Sequence, residues 1–167
     1  MDFRYVELLA DGPFDGRVAA GRVERCTMKF STRARYGMRA MLDIALYGDG
    51  GLVLLREIAE RQDISKRYLE HMMTMLRNGG LVVAERGAGG GYRLARPAER
   101  IRLDEIFEAL EGDIATVECV RDGSACERAE SCVTRVLWTE VSDAIRSVLE
   151  RRTLADLAES CRSMVKG

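Results

Sequence analysis

The sequence predicts a mainly α-helical protein with one small β-hairpin, and three observations predict it. Apolar residues recur at helical spacing in successive stretches between residues 32 and 157. One β-prone run, Leu81-Val82-Val83-Ala84, is separated by glycines from a second, Tyr92-Arg93-Leu94. Two prolines and 6% aromatics in 167 residues speak against a loop-rich β-sandwich. The length suits one domain, or one domain with an appendage, and 47% hydrophobic residues suffice to bury a core.

Residues 1–27 carry no clear periodicity, and Gly12, Pro13, Gly16 and Gly21 interrupt any helix. The pattern begins abruptly at Met28, which reads as the initiator behind an over-extended frame; the alternative is a flexible N-terminal arm. The spacing then predicts a helix over 32–47, with Tyr36, Ala40, Met41, Ile44 and Ala45 on one face and Gly48, Gly50 and Gly51 at its end. A short helix follows from Leu55 to Arg61, then the linker Gln62-Asp63-Ile64, with Ser65 placed to cap the next helix. That helix runs from Lys66 to Arg77, burying Leu69, Met72, Met73 and Leu76 at i, i+3, i+4, i+7, and Asn78-Gly79-Gly80 stops it. The two strands around Gly87–Gly91 make a hairpin closed by Pro97. Ile101 to Leu110 reads as an amphipathic helix, residues 112–131 lack periodicity, Val133 to Arg151 form a long helix, and a short last helix holds Leu154 and Leu157.

No stretch approaches 18 apolar residues, so no membrane span is expected, and the first 27 residues lack the basic start and apolar run of a signal peptide. Five cysteines, an odd number, argue against a fully paired secreted disulfide scaffold, and a cytoplasmic location is expected. The net charge of −1 is unevenly spread: residues 1–27 carry −1, residues 28–97 carry +5 and residues 98–167 carry −5. The basic part would gather at a polyanion and the acidic part would be held away from it.

Helix, short helix, tight turn, helix and hairpin is the order of a winged helix-turn-helix, whose second paired helix enters a major groove about 12 Å wide. Its exposed face carries Lys66, Arg67, Glu70 and His71, with Arg77 nearer its end. A solvated helix face is the plain alternative; the element order, the hairpin and the basic charge together favour double-stranded DNA. The glycine run is no dinucleotide fingerprint, because Tyr92 stands at the third glycine position and a strand follows instead of a helix. It reads as a wing tip, with Arg86 and Arg93 flanking it to enter a minor groove or hold phosphates.

Cys119, Cys126 and Cys132 follow a C-x6-C-x5-C pattern around the irregular stretch. Three thiolates on one loop can hold a metal or iron–sulfur cluster, and the spacing alone leaves ordinary buried cysteines or a thiol redox pair equally open. Cys26 lies in the tail, and Cys161 reads as structural or free. The single histidine, His71, sits on the recognition helix, so no serine–histidine–carboxylate set can be assembled and no catalytic site is expected. On the long helix, Leu137, Val141, Ala144 and Val148 repeat at +4, +3, +4, which supports pairing with a second copy; packing only within its own chain is the alternative. A twofold dimer would present two recognition helices to a pseudo-palindromic site.

These residues resemble the bacterial IscR/NsrR/CymR family of winged-helix transcription regulators. Met28-Lys29-Phe30-Ser31-Thr32-Arg33-Ala34-Arg35-Tyr36-Gly37 and Ala40-Met41-Leu42-Asp43-Ile44-Ala45 are similar to its opening. So are Tyr68-Leu69-Glu70, Leu76-Arg77-Asn78-Gly79-Gly80-Leu81-Val82, Arg86-Gly87-Ala88-Gly89-Gly90-Gly91-Tyr92, Cys132-Val133-Thr134-Arg135-Val136-Leu137-Trp138 and Thr153-Leu154-Ala155-Asp156-Leu157. The resemblance spans residues 28–160 and is nearest the cysteine-bearing IscR-type members. It implies a long dimerisation helix, base contacts by Arg67, Glu70 and His71, and minor-groove entry by Arg86. It also implies an iron–sulfur cluster, 2Fe-2S or 4Fe-4S, on Cys119, Cys126 and Cys132. His71 stands where glutamine is common in the family, the gap between the first two cysteines is one residue longer than in IscR-type members, and both known fourth-ligand positions depart. Arg135 stands where IscR-type members place a ligand histidine, and Arg35 where NsrR-like members place a ligand aspartate. Glu127, Glu130, a thiol or a small molecule are the remaining fourth-ligand candidates.

The expected organisation is therefore a tail over 1–27, a winged helix-turn-helix over 28–97, and a cysteine loop with a dimerisation helix over 98–167. The expected function is a transcription regulator that senses iron–sulfur status, nitric oxide or oxidative stress. The alternative is a thiol-redox or partner-controlled regulator without a cluster, as in CymR-like members.

Overall fold

A computed structural model describes residues 31–87 and 89–166; the expectations for residues 1–27, for Met28 and for Cys26 lie outside the described residues. The element order is α1 (Thr32–Tyr47), α2 (Leu55–Gln62), α3 (Lys66–Asn78), β1 (Val82–Glu85), β2 (Gly91–Leu94), α4 (Leu103–Glu111), α5 (Glu118–Arg121), α6 (Val133–Glu150) and α7 (Leu154–Lys166), with 3-10 turns at Ala98–Arg100 and Gly123–Ala125. The fold is mainly helical with a two-stranded antiparallel hairpin, as the periodicity predicts.

Helix α1 starts at Ser31, whose hydroxyl accepts from the Arg33 and Ala34 N–H groups at 3.0 and 3.3 Å. Glu111 at the end of α4 reaches the same turn, accepting from the Ala34 N–H at 3.2 Å and from the Ser31 hydroxyl. Further along, a Cβ on Gly37 would lie 2.3 Å from Leu110 Cδ1, so the Leu110 side chain of α4 packs where a side chain at residue 37 would otherwise stand. Helix α2 stops at Asp63, whose left-handed φ of 52° turns the chain into α3. Ser65 caps α3 by accepting from the Tyr68 N–H at 3.4 Å. The core gathers Met41 and Ile44 from α1, Ile58 from α2, Leu69, Met72, Met73 and Leu76 from α3, Ile106 and Leu110 from α4, and Leu154 from α7. Each such burial is worth roughly 1.5–3 kcal/mol.

The hairpin pairs Val82 with Leu94 and Ala84 with Tyr92. Val53 adds a bridge to Tyr92, with hydrogen bonds of 2.8 and 2.9 Å in the two directions. The sequence does not predict this bridge, because a single residue has no period. A Cβ on Gly91 would sit 2.5 Å from the Val53 carbonyl oxygen, so the bridge requires glycine there.

Three elements differ from expectation. Ile101 is extended and fully buried, so α4 begins at Leu103. The cause is a long-range pairing: the Leu154 N–H donates to the Ile101 carbonyl at 2.8 Å and the Leu103 N–H to the Arg152 carbonyl at 3.0 Å. Second, residues 112–131 contain a short helix and a 3-10 turn. Third, α7 is 13 residues long, not short. It buries Leu154 and Ala158 against the rest of the molecule, and so narrow a stripe carries little periodic signal. Helix α6 spans 18 residues, among which only Ser142 is buried.

Candidate nucleic-acid interface and cysteine loop

The apolar stripe of α3 turns Leu69, Met72, Met73 and Leu76 inward, so geometry alone forces Lys66, Arg67, Glu70 and His71 to the outside, and all four are exposed. Hairpin packing against the end of α3 then brings the wing to the same side. Lys66, Glu70 and Arg77 of α3 line one open cleft with Arg86, Gly87, Gly90 and Tyr92 of the hairpin. Among the described residues, Lys66, Arg67, Arg77 and Arg86 have no ion-pair partner, so their charge is free for an anionic ligand. Gly87 holds a φ of 121°, a value that side chains rarely adopt, and thereby turns the strand end at Arg86.

Arg93 is placed differently. It alternates with Tyr92 along β2, lines a separate cleft with Gly48–Gly51 and Arg96, and pairs with Glu85 at 3.3 Å. Arg56, which the sequence did not single out, belongs to the basic surface as well. This exposed residue in the first turn of α2 lines a neighbouring cleft with Lys66, Gly87 and Gly90. Its only sequence signal was a basic residue on a short helix.

The cysteine loop is built on the start of α6. Cys119 lies in α5, Cys126 follows the 3-10 turn, and Cys132 is the residue before α6. Cys126 is exposed, Cys119 and Cys132 are half-buried, and none is in a disulfide. The Thr134 hydroxyl lies 3.1 Å from the Cys132 sulfur and, with the Arg135 and Thr134 backbone N–H groups, holds that thiol below its ordinary pKa. Among the described residues, no three His, Cys, Asp or Glu side chains are arranged as a metal-holding group. In kind, three free thiols are the donors that iron–sulfur chemistry uses. Glu127 and Glu130 are exposed.

Two further contacts tie this loop to α6. Thr116 donates its N–H to the buried Ser142 hydroxyl at 3.1 Å. Arg135, at the expected ligand-histidine position, donates Nε to the Cys119 carbonyl at 2.9 Å and Nη1 to the Ala129 carbonyl at 3.3 Å. Along α6, Val133, Val136, Leu137 and Val148 are exposed, Val133 to 83%. No helix among the described residues is long and apolar enough to cross a membrane.

Comparison with known proteins gives a consistent result. A family model named Rrf2 and described as an iron-dependent transcriptional regulator matches residues 30–160. Protein rrf2 of Nitratidesulfovibrio vulgaris is 44% identical over 130 residues, covering 78% of this chain and 87% of the relative. The solved structure of CymR, the global cysteine regulator of B. subtilis, superposes with a TM-score of 0.66 at 39% identity, covering 79% of this chain and 97% of that one. The T. potens IscR structure superposes with a TM-score of 0.66 at 38% identity, covering 80% and 88%.

Proposed function

The chain belongs to the Rrf2 family of transcriptional regulators, and from that premise we propose how it reads DNA and what it senses. It is a DNA-binding winged-helix regulator and not an enzyme. Residues 28–97 form the reading head. Helix α3 enters a major groove with Lys66, Arg67, Glu70 and His71 at base edges and adjoining phosphates. Arg86 enters the flanking minor groove and Arg56 contacts a phosphate beside it, while Arg93, turned to a separate cleft and paired with Glu85, stays outside this contact. The observation that carries this reading is the shared cleft in which Lys66 and Glu70 of α3 face Arg86 of the wing. The protein acts as a homodimer through α6, on which Val133, Leu137 and Val148 stay at least half exposed among the described residues. Two α3 helices then meet a pseudo-palindromic site.

Residues 98–167 sense, in the cytoplasm, through an iron–sulfur cluster on Cys119, Cys126 and Cys132, of 2Fe-2S or 4Fe-4S type. Support comes from the donor chemistry of three free thiols, the lowered pKa of the Cys132 thiol under its Thr134 and Arg135 hydrogen bonds, and the likeness to IscR. When bound, the cluster supplies reactivity toward nitric oxide and oxidants. The chain's own residues position the loop on α6 and so carry its state to the dimer helix. The second reading is a thiol-redox or partner-controlled regulator, favoured by the likeness to CymR.

Anaerobic purification with iron and acid-labile sulfide analysis separates the two. A brown protein whose colour is lost in each single Cys→Ser variant at 119, 126 and 132, with altered operator affinity, supports the cluster. Iron retained in all three variants, or equal DNA binding with and without iron, leaves the thiol reading. Absence of any DNA binding at low salt would overturn the proposed interface.

A further inference from the structure

We infer that Arg135 is a positioning residue that fastens both halves of the cysteine loop to the first turn of α6. The inference rests on the sensing role proposed for that loop, but it concerns the protein without any metal. One guanidinium spans the loop: Nε holds the Cys119 carbonyl at 2.9 Å and Nη1 the Ala129 carbonyl at 3.3 Å. Between these points the Gly123–Ala125 turn lies over the same group, since a Cβ on Gly123 would come within 3.4 Å of Nη2. Among the described residues Arg135 has no carboxylate partner, so its charge is engaged by backbone carbonyls, an arrangement that a planar fork makes and a single ammonium does not. Ala129 is 7% exposed, so the second carbonyl is anchored on a packed residue. Arg135 leaves α6 from its first turn, three residues before the chain's single tryptophan, Trp138. Thr116 fastens the entry of the loop to the same stretch, donating its hydroxyl to the Trp138 carbonyl at 3.3 Å. A displacement of Cys119 is therefore passed to the foot of α6 through Arg135.

The test uses full-length, metal-free protein, so that failure of the cluster reading does not affect it. Hydrogen exchange is followed for the backbone amides of residues 117–131 in the unaltered chain and in Arg135→Ala, Arg135→Gln and Arg135→Lys. Trp138 emission is recorded before and after alkylation of the thiols with iodoacetamide. Loss of two hydrogen bonds to a charged donor should speed exchange in this segment by roughly tenfold or more. Arg135→Lys should not restore it, because lysine keeps the charge and loses the fork. Alkylation should shift Trp138 emission in the unaltered protein, and the shift should shrink by at least about half in the variants. Unchanged exchange in Arg135→Ala and Arg135→Gln, rescue of exchange by lysine, or an emission shift that is absent in the unaltered protein or equal in all variants, overturns the inference.

Discussion

Truncating the two partners of the Asp43–Arg61 pair should have unequal effects, with Arg61→Ala the more damaging. Asp43 of α1 is fully buried and accepts from Arg61 Nη2 at 2.7 Å, from Arg61 Nε at 3.0 Å and from Gln62 Nε2 at 2.8 Å. The Arg61 side chain keeps 30% of its surface in water. The carboxylate therefore depends on its partner, whereas the guanidinium can return to solvent. Arg61→Ala strands a buried carboxylate with only the Gln62 amide, a loss of about 3–5 kcal/mol by the behaviour of broken buried pairs. Asp43→Ala removes the buried charge itself and loses charged hydrogen bonds worth about 1.5–3 kcal/mol. Tyr47 adds to the asymmetry only weakly, because its ring, 4.4 Å from the Arg61 guanidinium carbon, is 60% exposed. Urea and thermal unfolding at one fixed protein concentration read both differences. For a chain of this size about 2–4 °C per kcal/mol is expected, so Arg61→Ala should lower Tm by at least roughly 6 °C. Because the pair joins α1 to the end of α2 just before the Asp63 turn, both variants should also weaken DNA binding. An Asp43→Ala variant as unstable as Arg61→Ala, or a loss below about 0.5 kcal/mol in both, would overturn this account of the pair.

Other outcomes follow from the same geometry. Arg86→Ala should weaken DNA binding and lower the slope of log affinity against log salt by about 0.9 for each phosphate left unneutralised, measured by mobility shift over a salt series. A similar slope change with unaltered base preference is expected for Arg56→Ala. If the proposed dimer forms, light scattering should show two copies for the unaltered chain at micromolar concentration and one for Leu137→Glu, on the exposed stripe of α6, with α3 still folded; a monomeric unaltered chain overturns the proposed dimer, and an unchanged dimeric mass in the variant places the interface elsewhere. Gly37→Ala should cost about 1–3 kcal/mol by overpacking against Leu110, and Leu110→Ala in the same chain should recover part of that loss.

The helices that bury a wide stripe, the hairpin with its glycine tip, and the outward face of α3 were all legible in the chain before it is folded. They follow from local rules: a 3.6-residue period, capping at Ser65, and chain reversal at glycine. Once Leu69, Met72, Met73 and Leu76 must face inward, Lys66, Arg67, Glu70 and His71 have nowhere to go but outward. The three cysteines stand out in the chain by type and nearness, but among the described residues they are not gathered into a metal-holding group, so their role as ligands remains a proposal. Folding adds what no period records. The Val53 bridge to β2 and the pairing of Ile101 with Leu154 are backbone hydrogen bonds between segments distant in sequence, and they set where β2 is held and where α4 starts. Arg93 and Arg86 look alike as basic residues flanking a wing, yet strand alternation and the Glu85 carboxylate separate them. Arg135 was visible only as a departure from a ligand position. Its hold on the Cys119 and Ala129 carbonyls arises because the folded loop brings two otherwise unsatisfied backbone acceptors within reach of one guanidinium.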